Sequence, residues 1–224
     1  MPRVARASVG GVCYHVINRG NAQATVFHAP DDFRAFLAVL AEAVERVDPR
    51  LLGYCVMPNH FHFVLWPKGD GDMSRFMQWL LTAHVRRYHA VHESSGHLWQ
   101  GRYKAFPIQD DDHLLTVLRY VERNPLRARL VRKAENWPWS SLSGRSANGV
   151  APAFLRAGPC TLPADWADVV NAAPPEGELD RLRISVNRGT PFGDDRWIRR
   201  AAARLGIEAS LRPRGRPKKK QEAQ

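Results

Sequence analysis

Four side chains in this sequence have the types and spacing for metal-assisted chemistry: His60 and His62 in the run YCVMPNHFHFVLW (54–66), and Tyr120 and Asn124 further on. Alternate residues of a strand share a face, so His60 and His62 point one way while Phe61, Phe63 and Leu65 point the other. Two imidazoles about 7 Å apart along one strand suit a single divalent ion held between their tips. Tyr120 and Asn124 are four apart, so on a helix they stack on one side, at the edge of an apolar stripe of Leu114, Leu115, Val117, Leu118 and Val121. A phenol has an ordinary pKa near 10 and becomes a nucleophile only when its surroundings activate it. Each residue also has a plainer reading. A His-x-His pair fits satisfied core or surface histidines, Tyr120 a half-buried boundary position, and Asn124 a helix end before Pro125.

The elements that must position these residues are readable in order. Residues 12–17 form a short apolar strand that ends in a polar turn, Asn18-Arg19-Gly20. Asp31 or Asp32 can cap a helix over 33–47, which Pro49 stops. Pro58-Asn59 reads as a tight turn between strands at 51–57 and 60–66. A second amphipathic helix is expected over 73–91, with Phe76, Leu80, Ala83 and Arg87 on successive turns and His84, Arg86, Arg87 and His89 on its polar face. A strand at 105–108 follows, and Asp110 to Asp112 cap and charge-favour a helix from His113 to about Arg123. This order predicts an α+β fold, a ferredoxin-like antiparallel sheet with helices packed on one face. The expected domain spans 1–141. A Gly-, Ala-, Pro- and Ser-rich connecting or wrapping segment covers 142–193, with one short helix at 164–171. The rest, 194–224, holds a final helix over 196–205, capped by Asp194 or Asp195 and stopped by Gly206, and a basic tail.

Composition narrows the function. No apolar run approaches the ~20 residues of a membrane span, and the start lacks the apolar core of a signal peptide, so a cytoplasmic, nucleoid-associated protein is expected. Three widely spaced cysteines without a CxxC pair give neither a disulfide framework nor a zinc knuckle. The net charge is +11, and from residue 196 onward ten lysines and arginines face two acids, so the tail holds +8 of it. A basic tail on a nearly balanced domain points to a nucleic-acid partner met first through its phosphates. Within it, Pro213-Arg214-Gly215-Arg216-Pro217 followed by Lys218, Lys219 and Lys220 looks like an AT-hook core. Arg86, Arg87, Arg102 and Lys104 are further candidates for strand contact, with solvated surface charge as their plainer reading.

Taken together, the motifs resemble a family. His60-Phe61-His62 with its preceding Tyr54 to Asn59 is similar to the histidine strand of the HUH single-tyrosine nucleases. LWQGRYK (98–104) and YVERNPLRA (120–128) resemble two further blocks of the REP-associated tyrosine transposase branch. The resemblance is strong over 14–141 and looser from Arg188 to the tail. It implies metal-dependent cleavage and joining of single-stranded DNA that forms hairpins, through a 5′-phosphotyrosine. It implies Tyr120 as nucleophile, His60, His62 and Asn124 as ligands of Mg²⁺ or Mn²⁺, and a monomer, with a dimer as the alternative. Neither a membrane nor a nucleotide cofactor is expected. A non-catalytic binder of structured DNA is the competing reading. A rolling-circle initiator is weakened by the lack of a GxxxxGK[ST] loop.

Overall fold

Apolar residues on both faces of one central strand organise the molecule. In the computed structural model, which describes residues 8–146 and 152–212, β1 (Cys13–Arg19) lies inside a four-stranded sheet of order β2-β3-β1-β4. Its partners are β2 (Leu51–Met57), β3 (His60–Leu65) and β4 (Lys104–Ile108), and every pairing is antiparallel. With α1 (Pro30–Val47) before the β2–β3 hairpin and α2 (Asp72–Val91) before β4, the order is the βαββαβ of a ferredoxin-like unit.

The pleat sorts the side chains. Tyr14, Val16, Tyr54, Val56, Phe61, Phe63 and Leu65 form one cluster with the buried faces of α1 and α2. Phe61 and Phe63 are fully buried and stack at 4.4 Å, each removing about 2–3 kcal/mol of apolar exposure. Cys13, Cys55, Val64, Phe106 and Ile108 point to the opposite face and meet α3 (Asp112–Glu122). α1 and α2 thus cover one face as the sequence predicts, while α3 covers the other. Gly53 allows this second packing, because a Cβ there would stand 2.6 Å from Leu118 Cδ2.

Three local details differ from expectation. α1 begins earlier, at Pro30, because Asp32 Oδ2 accepts from His28 N (2.7 Å) and Ala29 N (3.0 Å), a turn further back than a cap at Asp31 or Asp32. The buried stripe of α2 runs through Met73, Phe76, Met77, Leu80 and His84, so His84 leaves the polar face and packs among Phe27, Phe36 and Trp99, while Arg87 is exposed. Beyond Pro138 the chain is more helical than its composition implies.

α4 (Asn124–Arg127) follows α3 directly, and the later part comprises α5 (Ser141–Ser146), α6 (Trp166–Asn171), α7 (Glu178–Arg188) and α8 (Asp195–Leu205). Trp166, Val170, Leu182 and Phe192 join the cluster under α3. Three polar ties fasten α3 there. Buried Glu122 accepts from Trp166 Nε1 at 2.6 Å and from the Ser141 hydroxyl, with Arg145 3.4 Å away. Arg123 donates to Val170 O (2.7 Å), and Arg119 pairs with Glu178. α8 is capped as the sequence predicts, by Asp194 accepting from Trp197 N at 2.7 Å, and Gly206 closes it at φ +63°. Among the described residues no helix is long and apolar enough to cross a membrane.

Candidate active site on the α3 face of the sheet

β3 pairs His62 with Ile17 of β1, and His15 with Val64, so His15 and His62 are diagonal neighbours on one sheet face. Their nitrogens meet: His15 Nε2 lies 2.8 Å from His62 Nδ1, with both side chains essentially without exposure. His60 and His62 sit on that face as two positions apart on a strand require, with ring centroids 4.9 Å apart and planes at 82°. The hairpin turn orients His60. Asn59 Nδ2 donates to Gln23 O (3.1 Å), which leaves Asn59 Oδ1 to accept from His60 Nδ1 at 2.6 Å. His60 therefore carries its proton on Nδ1 and keeps a lone pair on Nε2.

α3 brings Tyr120 to the same place. Its ring meets His62 edge-on at 5.7 Å and His15 at 6.2 Å, and it is buried at 7% exposure. One helical turn later Asn124 is buried, its Nδ2 donating to Tyr120 O at 2.8 Å. Its amide oxygen accepts from Arg127 Nη2 at 2.5 Å, and the Arg127 guanidinium lies over the Tyr120 ring at 5.2 Å. The α3–α4 corner, where Pro125 sits within the first turn of α4, folds Arg127 back over the tyrosine.

Burial and neighbouring cations keep the imidazoles neutral. Desolvation, with Arg19 and Arg127 adding to it, lowers His60 to about 4. Desolvation with His60 nearby lowers His15 to about 3, and burial places His62 well below its usual range. His84, on the other face, is lowered by burial to about 4. An unfolded chain takes up these protons near pH 6.5, so it binds more protons than the native state below that pH. Stability is thus full above about pH 6.5 and falls as pH drops toward 4. Urea midpoints should fall between pH 7 and pH 5 by the equivalent of more than about 1 kcal/mol per pH unit; a flat profile overturns the neutral assignment.

The other sequence candidates are only partly brought together. The LWQGR block runs beside the end of β1, with Gln100 N donating to Arg19 O and Asn21 N to Leu98 O, and it buries Trp99 edge-on against Phe61 at 5.2 Å. A cavity of about 330 Å³ there is lined by Arg19, Gln100, Arg102 and Lys104. Arg86 and Arg102 share a second groove of about 600 Å³ with Trp99 and His97. Arg87 is exposed on α2 and lines neither groove. Arg214, Arg216, Lys218, Lys219 and Lys220 lie outside the described residues. Sequence reasoning missed His15, Arg19, Asn59 and Arg127. The available signal was a single histidine inside the apolar run 12–17, on the parity of Cys13 and Ile17.

A ferredoxin-like sheet with a paired-histidine strand, faced by a helix-borne tyrosine, is the class that the motifs resemble, the tyrosine transposases of the HUH type, which are enzymes. The family described as "Transposase IS200 like" matches residues 8–124, and this chain belongs to it. A Haemophilus influenzae protein assigned as a REP-associated tyrosine transposase is 24% identical over 128 residues, covering 52% of this chain and 72% of that protein. The solved structure of a REP-associated tyrosine transposase bound to a REP hairpin has the same fold. Its TM-score is 0.55 at 18% identity, over 73% of this chain and 96% of that one. A Deinococcus radiodurans protein described as a transposase aligns with a TM-score of 0.39 at 16% identity, over 67% of this chain and all of that one.

Proposed function

We propose that this transposase is a divalent-metal-dependent endonuclease and strand transferase for hairpin-forming single-stranded DNA, with Tyr120 as its nucleophile. The observation that carries the reading is the edge-on contact of Tyr120 with His62, 5.7 Å between ring centroids, on the face that also holds His60. The chain's similarity to a transposase solved with a REP hairpin supports palindromic hairpin DNA as the substrate class.

The residues fit a metal. His62 Nε2 is buried without a partner, and Asn59 leaves His60 Nε2 with a lone pair. Two neutral imidazoles, with the Asn124 amide oxygen once Arg127 releases it, make an open, oxygen-tolerant site suited to Mg²⁺ or Mn²⁺ rather than a closed structural zinc. When bound, the ion supplies Lewis-acid polarisation of the scissile phosphate. The rest is done by the chain. Tyr120 Oη attacks phosphorus, and the Oη–P bond forms as the P–O3′ bond breaks. The phenolic proton passes to solvent water, and the departing 3′ oxygen takes one up from solvent. The products are a 5′-phosphotyrosine and a free 3′-hydroxyl, so the phosphodiester energy is retained for joining a second strand. Arg127, above the Tyr120 ring, and Arg19, opposite His60 in the strand register, are the two guanidiniums proposed to hold this phosphate. The groove from Arg19 to Arg102 and Lys104 takes the adjoining strand, with Arg86 and Arg87 as outer phosphate contacts.

In this reading residues 1–141 form the catalytic domain, 142–193 brace its tyrosine helix, and 194–224 anchor DNA, the tail through Arg214, Arg216, Lys218, Lys219 and Lys220. The protein works as a monomer in the cytoplasm, on nucleoid DNA. The test is a REP-like hairpin strand labelled at either end, incubated with the full chain and Mn²⁺ and run on a denaturing gel. The 3′-labelled fragment is expected to migrate with the protein and the 5′-labelled fragment to be freed. Label retained from the 5′ end reverses the polarity and overturns the mechanism.

A further inference from the structure

We infer that His15 is a positioning residue for the metal centre: it selects the His62 tautomer whose Nε2 carries a lone pair. The inference rests on the metal reading above and extends it to a residue outside the recognised motifs.

His15 Nε2 and His62 Nδ1 stand 2.8 Å apart, and neither ring is exposed. Two neutral imidazoles at that distance share one proton, so two arrangements exist. If His15 donates from Nε2, His62 is protonated on Nε2 and cannot bind a cation there. If His62 donates from Nδ1, its Nε2 is a lone pair directed onto the face that His60 and Tyr120 share. The two outer nitrogens, His15 Nδ1 and His62 Nε2, are the buried atoms of the pair that have no partner. Coordination at His62 Nε2 satisfies one of them: it displaces any proton there, the shared proton passes to His62 Nδ1, and His15 takes up a proton on Nδ1 in its place. A nitrogen acceptor at the His15 position is what makes that arrangement possible.

Asn59 does the same for His60 by accepting from its Nδ1 at 2.6 Å. Both proposed ligands thus have their inner nitrogen held by a neighbour, one from the hairpin turn and one from the adjacent strand. This is the arrangement by which outer groups fix the ring orientation and tautomer of metal-binding histidines. The His15 ring is itself held by Phe106 of β4, 4.7 Å between centroids. Its side-chain hydrogen bond is to His62, and with Tyr120 it makes only an edge-on ring contact, so it acts through His62.

The test compares His15→Gln with His15→Phe in the full chain. A glutamine places an acceptor oxygen near the former Nε2, whereas a phenyl ring keeps the packing and removes the acceptor. Mn²⁺ affinity is measured by calorimetry without DNA, with thermal midpoints alongside. His15→Phe is expected to weaken Mn²⁺ binding about 10- to 100-fold, and His15→Gln to stay within about 3-fold of the parent. Nitrogen-edited NMR of the Mg²⁺-loaded parent protein should show the His62 proton on Nδ1, a readout that survives even if the phenylalanine variant fails to fold. Equal Mn²⁺ affinity in all three proteins overturns the inference. So does equal weakening in both variants, which would make His15 a packing residue, or a His62 proton on Nε2 in the loaded protein. A parent protein that takes up no Mn²⁺, or takes it up unchanged in His60→Ala, overturns the metal reading itself and this inference with it.

Discussion

Tyr120→Phe is expected to eliminate the covalent protein–DNA adduct, with a loss on the order of 10⁴-fold or more, because removal of the proposed nucleophile leaves nothing to form the intermediate. The fold should be untouched. Tyr120 is part of the apolar cluster under α3, and a phenyl ring keeps its edge-on contacts with His62 and His15 and its place beneath Arg127. Hairpin affinity should change little, since one hydroxyl is worth about 1 kcal/mol. The measurement is adduct formation on 3′-labelled hairpin DNA, with affinity determined separately by anisotropy. An adduct of undiminished yield in the phenylalanine variant would move the chemistry to another side chain.

Loss of either histidine of β3 should have the next largest effect, and the two variants should differ in what else they damage. His60→Ala and His62→Ala are each expected to reduce cleavage by about 10³-fold or more, through loss of a proposed ligand. His62 is 1% exposed and hydrogen-bonded to His15, so alanine there also leaves a cavity and the His15 imidazole unpaired, and the thermal midpoint should drop by several degrees. His60 is half-buried at the hairpin turn, so its alanine variant should stay folded. Asn124→Ala should cost less cleavage than either, because water replaces an amide oxygen more readily than an imidazole. Cleavage by the parent protein that persists in excess EDTA defeats the metal role for all three.

What could be read from the chain and what could not divides along local and distant contacts. The β2–β3 hairpin was legible because Pro58-Asn59 lies between two strand-like runs, and with it the shared face of His60 and His62. The caps were legible to within a residue or two, Asp110 to Asp112 for α3 and Asp194 or Asp195 for α8, because a carboxylate before an apolar period has one common local use; Asp111 and Asp194 fill them. His15 was not, because its contact with His62 depends on the β1–β3 register between strands far apart in sequence. Glu122 looks like solvent-facing charge until Trp166 and Ser141 arrive on it. Arg127 was hidden because the helix was expected to end before Pro125, whereas the chain turns through Arg123 and continues into α4. α7 escaped because Leu182 and Ser185 alone are buried in a segment otherwise rich in charge.

The braces on α3 also bear on timing. The histidine platform is made of β1, β2 and β3, all of which leave the ribosome well before Tyr120. The residues that pin the tyrosine helix, Ser141, Trp166 and Glu178, emerge later still. A growing polypeptide therefore lacks these contacts to α3 until Trp166 and Glu178 have been added. On the proposed function, a chain that stops short of Trp166 lacks the contacts that brace the helix carrying Tyr120.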